Sequence, residues 1–340
     1  MDCSQPAPWF YRFLMHNVHF ISTPVYIITL IALFRETSTP FQTYKYYIIA
    51  HIITNITSEF YVTFMWLPMT YLPYEVYRTT GWLSEWGVSG LLQFYILAQF
   101  IIVIGVSIGE MFHHRFKVVV MHREEKLLFK LPSYALYVFR FLALVHIITI
   151  TWSTMDSQTM VYQQAKKEAL FKKVSDLPKE LGCWSVFILA PEDPILIINI
   201  VLYGILLCLG SYIMFSTVFF ILQFLRVARN ISKETKKLQR MLIFSLLVQG
   251  TIHVVMISTP VAGQIYEMIF IVYDNNFATF LLFCIAYHGF FSTCAMIVFT
   301  KQLRQNVIRL VKCCSRQDVV PIIRGSQLGG PSSLAETSVR

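Results

Sequence analysis

The sequence predicts an all-α membrane protein: a seven-transmembrane helix bundle with its N-terminus outside, followed by a short amphipathic eighth helix. Three observations lead there. Apolar stretches at 13–34, 46–72, 90–112, 134–152, 194–224, 241–261 and 277–300 alternate with charged connectors. Each holds at least 19 residues, and a hydrocarbon core of about 30 Å needs about 20 residues of helix. Hydrophobic residues make up 56% of the 340 positions and charged residues only 14%, where a soluble domain carries about 25% charge. Mean hydropathy is +0.57. The spans must be helical, because a lone strand leaves its peptide groups unpaired in lipid.

The net charge of +9 raises nucleic acid as a partner, but the basic residues gather in alternate loops instead. With the N-terminus outside, 20 of the 28 Lys and Arg fall in inner segments: Arg35 and Lys45, the loop 115–130, the loop 226–240 and the tail from Lys301. Seven fall outside, five of them in the long loop 166–179, and Arg140 lies within the fourth span. Long loops weigh little in the positive-inside rule, so it favours N-out and C-in. The inverted arrangement would put the basic loop 226–240 outside and expose the sequon Asn230-Ile-Ser232.

The first stretch is too long, and too little preceded by positive charge, for a cleaved signal peptide, so it reads as a retained first span. Pro40 closes off the helix before it, as proline lacks the amide to continue one. Residues 163–173 in the long outer loop form a mixed-charge stretch suited to a short helix over the bundle mouth. Residues 301–312 place Leu303, Val307 and Leu310 at helical spacing against Arg304, Arg309 and Lys312, the pattern of a helix lying in the inner interface. One bundle is expected over 1–312. A cytoplasmic tail, 313–340, lacks an apolar period and reads as disordered.

Of 7 cysteines, Cys208, Cys284 and Cys294 sit mid-span and read as packing residues. Cys3 and Cys183 are the two in outer, oxidising segments, so a Cys3–Cys183 bridge is the extracellular disulfide available. Cys313 and Cys314, at the end of the amphipathic helix, are candidates for S-palmitoylation.

Ionisable groups within spans are costly and so draw attention. Glu59 reads either as a functional polar hub or as a hydrogen-bonded structural carboxyl. Glu110 is placed to meet His114 at i, i+4, and Arg140 to snorkel inward. His16, His19, His51, His146, His253 and His288 suggest a membrane metalloenzyme, but they scatter toward both membrane faces. A catalytic zinc site needs three convergent ligands, so neither enzyme, metal nor cofactor is expected. Outer-half aromatics suit an interfacial belt, and inward-facing members suit a pocket for a small, mostly apolar ligand. Candidate polar handles for that ligand are Glu59, Gln93, Tyr95, Gln99, Asn199, Tyr203, Gln249 and His253.

Several motifs carry a family resemblance. Ile231-Ser232-Lys233-Glu234-Thr235-Lys236-Lys237-Leu238-Gln239, then Gln249 and Ser258-Thr259-Pro260, resemble the sixth-helix signature of nematode serpentine chemoreceptors of class H. Asp274-Asn275-Asn276 and His288-Gly289-Phe290-Phe291-Ser292-Thr293 resemble its seventh-helix signature. Cys183 with Val186-Phe187-Ile188-Leu189-Ala190 and Asp193 is similar to its second outer loop, and Gly81-Trp82, Gly87-Val88 and Gln93-Phe94-Tyr95 to its entry into the third helix. Class I of the same superfamily is the nearest competitor. Where the family tends to have Phe-Glu-Asn-Arg-Phe, this chain has Phe112-His113-His114-Arg115-Phe116, keeping the arginine without the acid. After the seventh helix the usual Pro-Tyr-Arg becomes Gln302-Leu303-Arg304.

The resemblance implies a G-protein-coupled chemosensory receptor in the plasma membrane, in a sensory-neuron cilium, binding a small environmental molecule from outside. Its inner face would offer Arg115, Arg226, Arg229, Lys233, Lys236 and Lys237 to a heterotrimeric G protein, although topology and anionic lipid alone also account for that rim. Pro260 is the candidate pivot. A ligand-gated channel or transporter is the alternative, against which stands the lack of a repeat or paired broken helices.

Overall fold

The computed structural model describes residues 7–35, 39–71, 76–121, 127–155, 157–173, 179–189, 194–228, 232–270 and 275–316. Seven helical segments within them are long and apolar enough to cross a membrane. The chain runs α1 (Trp9–Phe34), α2 (Thr39–Phe60), β1 (Pro68–Tyr71), β2 (Val76–Thr79), α3 (Trp82–Glu85), α4 (Gly90–Phe116), α5 (Leu127–Met155), α6 (Ser157–Lys173), β3 (Val186–Ile188), α7 (Pro194–Val227), α8 (Lys233–His253), α9 (Thr259–Phe270), α10 (Asn275–Phe299) and α11 (Lys301–Arg316).

Three π-helical turns extend these helices, at Tyr61–Trp66 after α2, Lys117–Met121 after α4 and Val254–Ser258 between α8 and α9. The last makes α8 and α9 one span, Lys233–Gly263. It falls immediately before Pro260, whose missing amide and ring clash with the preceding turn prevent regular i→i−4 pairing there. The irregularity a proline imposes there takes the form of a π turn. Ser232 starts α8 by accepting the Thr235 amide on its hydroxyl at 3.1 Å, the usual way an orphan N–H at a helix start is satisfied.

Packing closes the bundle into a ring. α1 packs on α2 and α10, α10 also on α2 and α8, α8 on α7 and α7 on α5, while α4 stands between α2 and α5 and runs through the middle against α7 and α8 as well. The main apolar core lies toward the α11 end, where Ile52, Met111, Phe112, Phe116, Ile221 and Met296 are buried together. At that end α11 packs on α1 and α10 and buries Leu303 while leaving Arg304 and Arg309 exposed, so its two faces divide as the sequence pattern expects. It continues to Arg316, past the expected boundary at 312; residues 317–340 lie outside the described residues.

The helical reading omitted a small antiparallel sheet, ordered β1-β2-β3, at the end where α1 begins. Pro68 pairs with Thr79 and Tyr71 with Val76, and Tyr77 of β2 then faces Phe187 of β3. Leu67 turns the chain from helix into β1 at φ 41°, a left-handed conformation uncommon for a residue with a side chain. Its carbonyl accepts both the amide (3.1 Å) and the hydroxyl (2.9 Å) of Thr80, which holds it there. Arg78 of β2 meets Glu180 at 2.9 Å.

The stretch expected as a loop helix at 163–173 is part of α6, which is fastened along the free edge of β3. Gln163 acts there as a neighbouring strand would: its Nε2 donates to the Ile188 carbonyl and its Oε1 accepts the Ile188 amide, both at 3.0 Å. Lys167 Nζ donates to the Cys183 carbonyl at 2.7 Å. Its burial holds this lysine down to about 8 from the ordinary 10.5.

Candidate ligand cavity and the opposite face

Beneath the sheet, α4, α5, α7 and α10 enclose a cavity of about 100 Å³, roofed by Tyr77 of β2 and by Leu189 just after β3. Most of its wall is aliphatic or aromatic, and among the described residues its lining has no Asp, Glu, Lys or Arg. Such a site suits a small, mainly apolar molecule oriented by a few polar groups. Those groups are present. Asn199 and His146 both line it and are almost wholly buried. Neither Nδ2 nor Oδ1 of Asn199, nor Nδ1 of His146, has a hydrogen-bond partner among the described residues. Buried polar atoms are nearly always paired, so each exception asks for an explanation.

A second space of about 120 Å³ lies deeper among α4, α5, α7 and α8, and shares Ile101 and Tyr203 with the first. The π turn borders it through Val254, Ile257 and Ser258. His253, also in its wall, gives its Nδ1 proton to the Gln249 carbonyl at 2.8 Å and has Nε2 unpaired among the described residues.

Of the eight proposed handles, Tyr95 and Asn199 line the first cavity, His253 the second, and Tyr203 both. The remaining four line neither. Gln93 is a joint, donating to the Val88 carbonyl at 2.9 Å and to Ser84 Oγ at 3.2 Å. Gln99 reaches Thr151 of α5 at 3.3 Å. Gln249 donates to Ser245 of its own helix at 3.3 Å. Glu59 ties α1 to α2: Ser22 Oγ donates to Oε1, Tyr26 OH donates to Oε2 at 2.7 Å, and His19 Nδ1 stands 3.5 Å from Oε1. These contacts fit the second of its two readings, a hydrogen-bonded structural carboxyl. His146, which also lines the first cavity, enters the sequence reading only as a possible metal ligand; its place there depends on how α5 is rotated, which sequence spacing does not reveal.

Two other assignments change. Glu110 does not meet His114; Arg140 of α5 reaches across instead, its Nε donating to Glu110 Oε1 at 2.5 Å. The helices α4 and α5 pack side by side, so an opposite charge on the neighbour outcompetes a histidine on the same helix. Arg115 is not part of an open rim. It is only 3% exposed, its guanidinium lies over the Tyr44 ring at 3.5 Å, and its Nε and Nη2 have no partner among the described residues. Around it, Arg226, Lys233 and Lys237 are exposed and Lys236 is half-buried, all near the α7–α8 connection; Arg229 lies outside the described residues.

Cys183 is disulfide-bonded. Cys3 lies outside the described residues, and so do the side chains of Cys313 and Cys314, although both fall within α11.

Seven spans with α4 at their centre, a roofed cavity at one end and basic residues at the other, define a seven-transmembrane receptor. The family model described as serpentine type 7TM GPCR chemoreceptor Srh matches residues 6–313, and the chain belongs to that family. No curated protein and no solved structure matches it.

Proposed function

We propose that this chain is a G-protein-coupled chemosensory receptor of the plasma membrane that binds a small environmental molecule in the cavity beneath the sheet. The observation that carries this reading is the polar pair Asn199 and His146, whose Nδ2, Oδ1 and Nδ1 are unpaired among the described residues in a mostly apolar cavity. Family membership supports the receptor class, and the same family points to a sensory cilium as its place. In this reading the N-terminus and sheet face outside, since 20 of 28 basic residues then lie inside.

Binding shifts the bundle between two states only to the extent that the ligand prefers one of them. The deeper space lies between the ligand and the inner face, bordered by the π turn before Pro260. Repacking there moves α8 against α7, and opens Arg115, Arg226, Arg229, Lys233, Lys236 and Lys237 to a heterotrimeric G protein. Cys313 and Cys314 hold α11 to the bilayer when acylated.

The test has two arms. An epitope at the C-terminus should stain only permeabilised cells; staining of intact cells rejects the orientation. Vesicles carrying the purified receptor and a heterotrimer should exchange nucleotide faster with an activating odorant from a screened panel than without it. A receptor at the surface that accelerates exchange with no heterotrimer class and no member of the panel rejects the coupling.

A further inference from the structure

The unpaired atoms of the sheet-side cavity can be sorted by what each one lacks. His146 and Asn199 both line this cavity and are buried there. In a neutral imidazole one ring nitrogen donates and the other accepts, so the unpaired Nδ1 of His146 offers one role or the other according to its tautomer. Asn199 adds one acceptor, Oδ1, and the Nδ2 donor, none of them paired among the described residues. The site therefore presents at least one acceptor and one donor group within mostly apolar walls.

A ketone, ester or ether answers Nδ2 and leaves the Oδ1 acceptor of Asn199 dry. A hydroxyl answers both kinds, since it donates one hydrogen bond and accepts others. A charged ligand meets no counter-charge in this lining, and an unpaired charge removed from water is far costlier than a dipole. A cavity of about 100 Å³ limits the rest of the molecule to a short hydrocarbon portion. We infer that the ligand is a small uncharged alcohol or phenol whose hydroxyl is held between Asn199 and His146. This rests on the reading of the cavity as the ligand site, but not on coupling to a G protein.

The experiment measures binding alone. Purified full-length receptor in nanodiscs is titrated with tritiated 1-hexanol, and empty nanodiscs of the same lipid are subtracted. Saturable binding is expected. 2-Hexanone, n-hexane and hexylammonium should each compete at least about tenfold less well than unlabelled 1-hexanol, as expected where buried partners go unpaired. Asn199→Leu and His146→Phe should each weaken 1-hexanol about tenfold or more. Cys208→Ala, on the exposed side of α7, should leave affinity unchanged, and monodispersity of every variant guards against misfolding.

Competition by n-hexane equal to that of the alcohol overturns the inference. So does unaltered 1-hexanol affinity in both well-folded variants, or the absence of saturable binding. A receptor that binds 1-hexanol through Asn199 yet never accelerates exchange keeps the inference and loses the coupling. A receptor that couples normally to a ligand indifferent to both substitutions does the reverse.

Discussion

Arg140 is 42% exposed along its side chain and Glu110 19%, so this ion pair sits at the margin between protein and lipid. Insertion scales put a lone charge at a helix centre at roughly 2.5–3.5 kcal/mol. Glu110→Gln should therefore lower the stability of the receptor in nanodiscs by an amount on the order of 2 kcal/mol. The double variant with Arg140→Gln should recover part of it, because no charge is left unpaired. A double-mutant thermal unfolding cycle checks this, and additive losses would show that the two residues do not support each other. Arg115 is held differently. With no acid at positions 113 or 114, its partner is the face of Tyr44, and cation–π contacts are worth about 0.5–2 kcal/mol. Tyr44→Leu should raise ligand-independent nucleotide exchange by a few-fold to about thirtyfold on that scale. Arg115→Ala should depress exchange at matched surface density. Equal exchange in all three proteins would leave Arg115 as a topology anchor only.

The sheet and α6 act as one lid, and their attachment has a pH signature. Lys167 titrates near 8 in the docked lid and near 10.5 when solvated. Below pH 8 the docked state bears the cost of a buried charge in full. As pH rises from 8 toward 10.5 the docked form loses its proton first, so docking strengthens, and it strengthens no further above 10.5. Hydrogen-exchange protection of 186–188, corrected for intrinsic rates, should rise between pH 7.5 and 9.5. In Lys167→Met it should be flat; a parallel rise in the variant would assign the effect elsewhere. The lid meets α4 with almost no clearance. A Cβ on Gly90 would stand 2.5 Å from the Ser185 carbonyl oxygen and 2.9 Å from the Phe187 ring, while the Gly90 amide donates to the Trp184 carbonyl at 3.0 Å. Gly90→Ala should cost about 1–3 kcal/mol, the usual range for forced overpacking. Thermal unfolding and protection of 184–188 should both fall; an unchanged protein would mean that the lid slides freely.

For the molecule as a whole, the lid is tied by more than hydrogen bonds, since Cys183 is in a disulfide. The pairing proposed for it is with Cys3. Closing a loop of about 180 residues is worth roughly 5 kcal/mol in the chain-entropy model, less in a membrane that already restricts the unfolded chain. Peptide mapping without reductant should recover Cys3 joined to Cys183, and Cys3→Ser should loosen α1 at its start, where Tyr11 OH donates to the Pro68 carbonyl. Recovery of Cys3 as a free thiol would end this proposal.

What the sequence determined by itself is what depends on local content. Span length, the basic asymmetry and the amphipathic period of 301–312 are properties of neighbouring residues, so the seven helices, α11 and the family were legible without coordinates. The irregular turn before Pro260 was legible for the same reason, as a proline acts on its own turn. The sheet was not, because Pro68–Tyr71 and Val76–Thr79 are four-residue segments and the third strand, β3, which pairs with β2, lies more than 100 residues further on. The site divided along the same line. Residue type made Asn199, Tyr95 and Tyr203 visible as candidates, but helix rotation decides which polar groups face a cavity and which face a neighbour. Rotation turned Gln93 and Gln99 into joints, gave Glu110 to Arg140, closed Tyr44 over Arg115, and brought His146 to Asn199. Those contacts join helices far apart in sequence, and only tertiary packing sets the angle at which each helix meets the next.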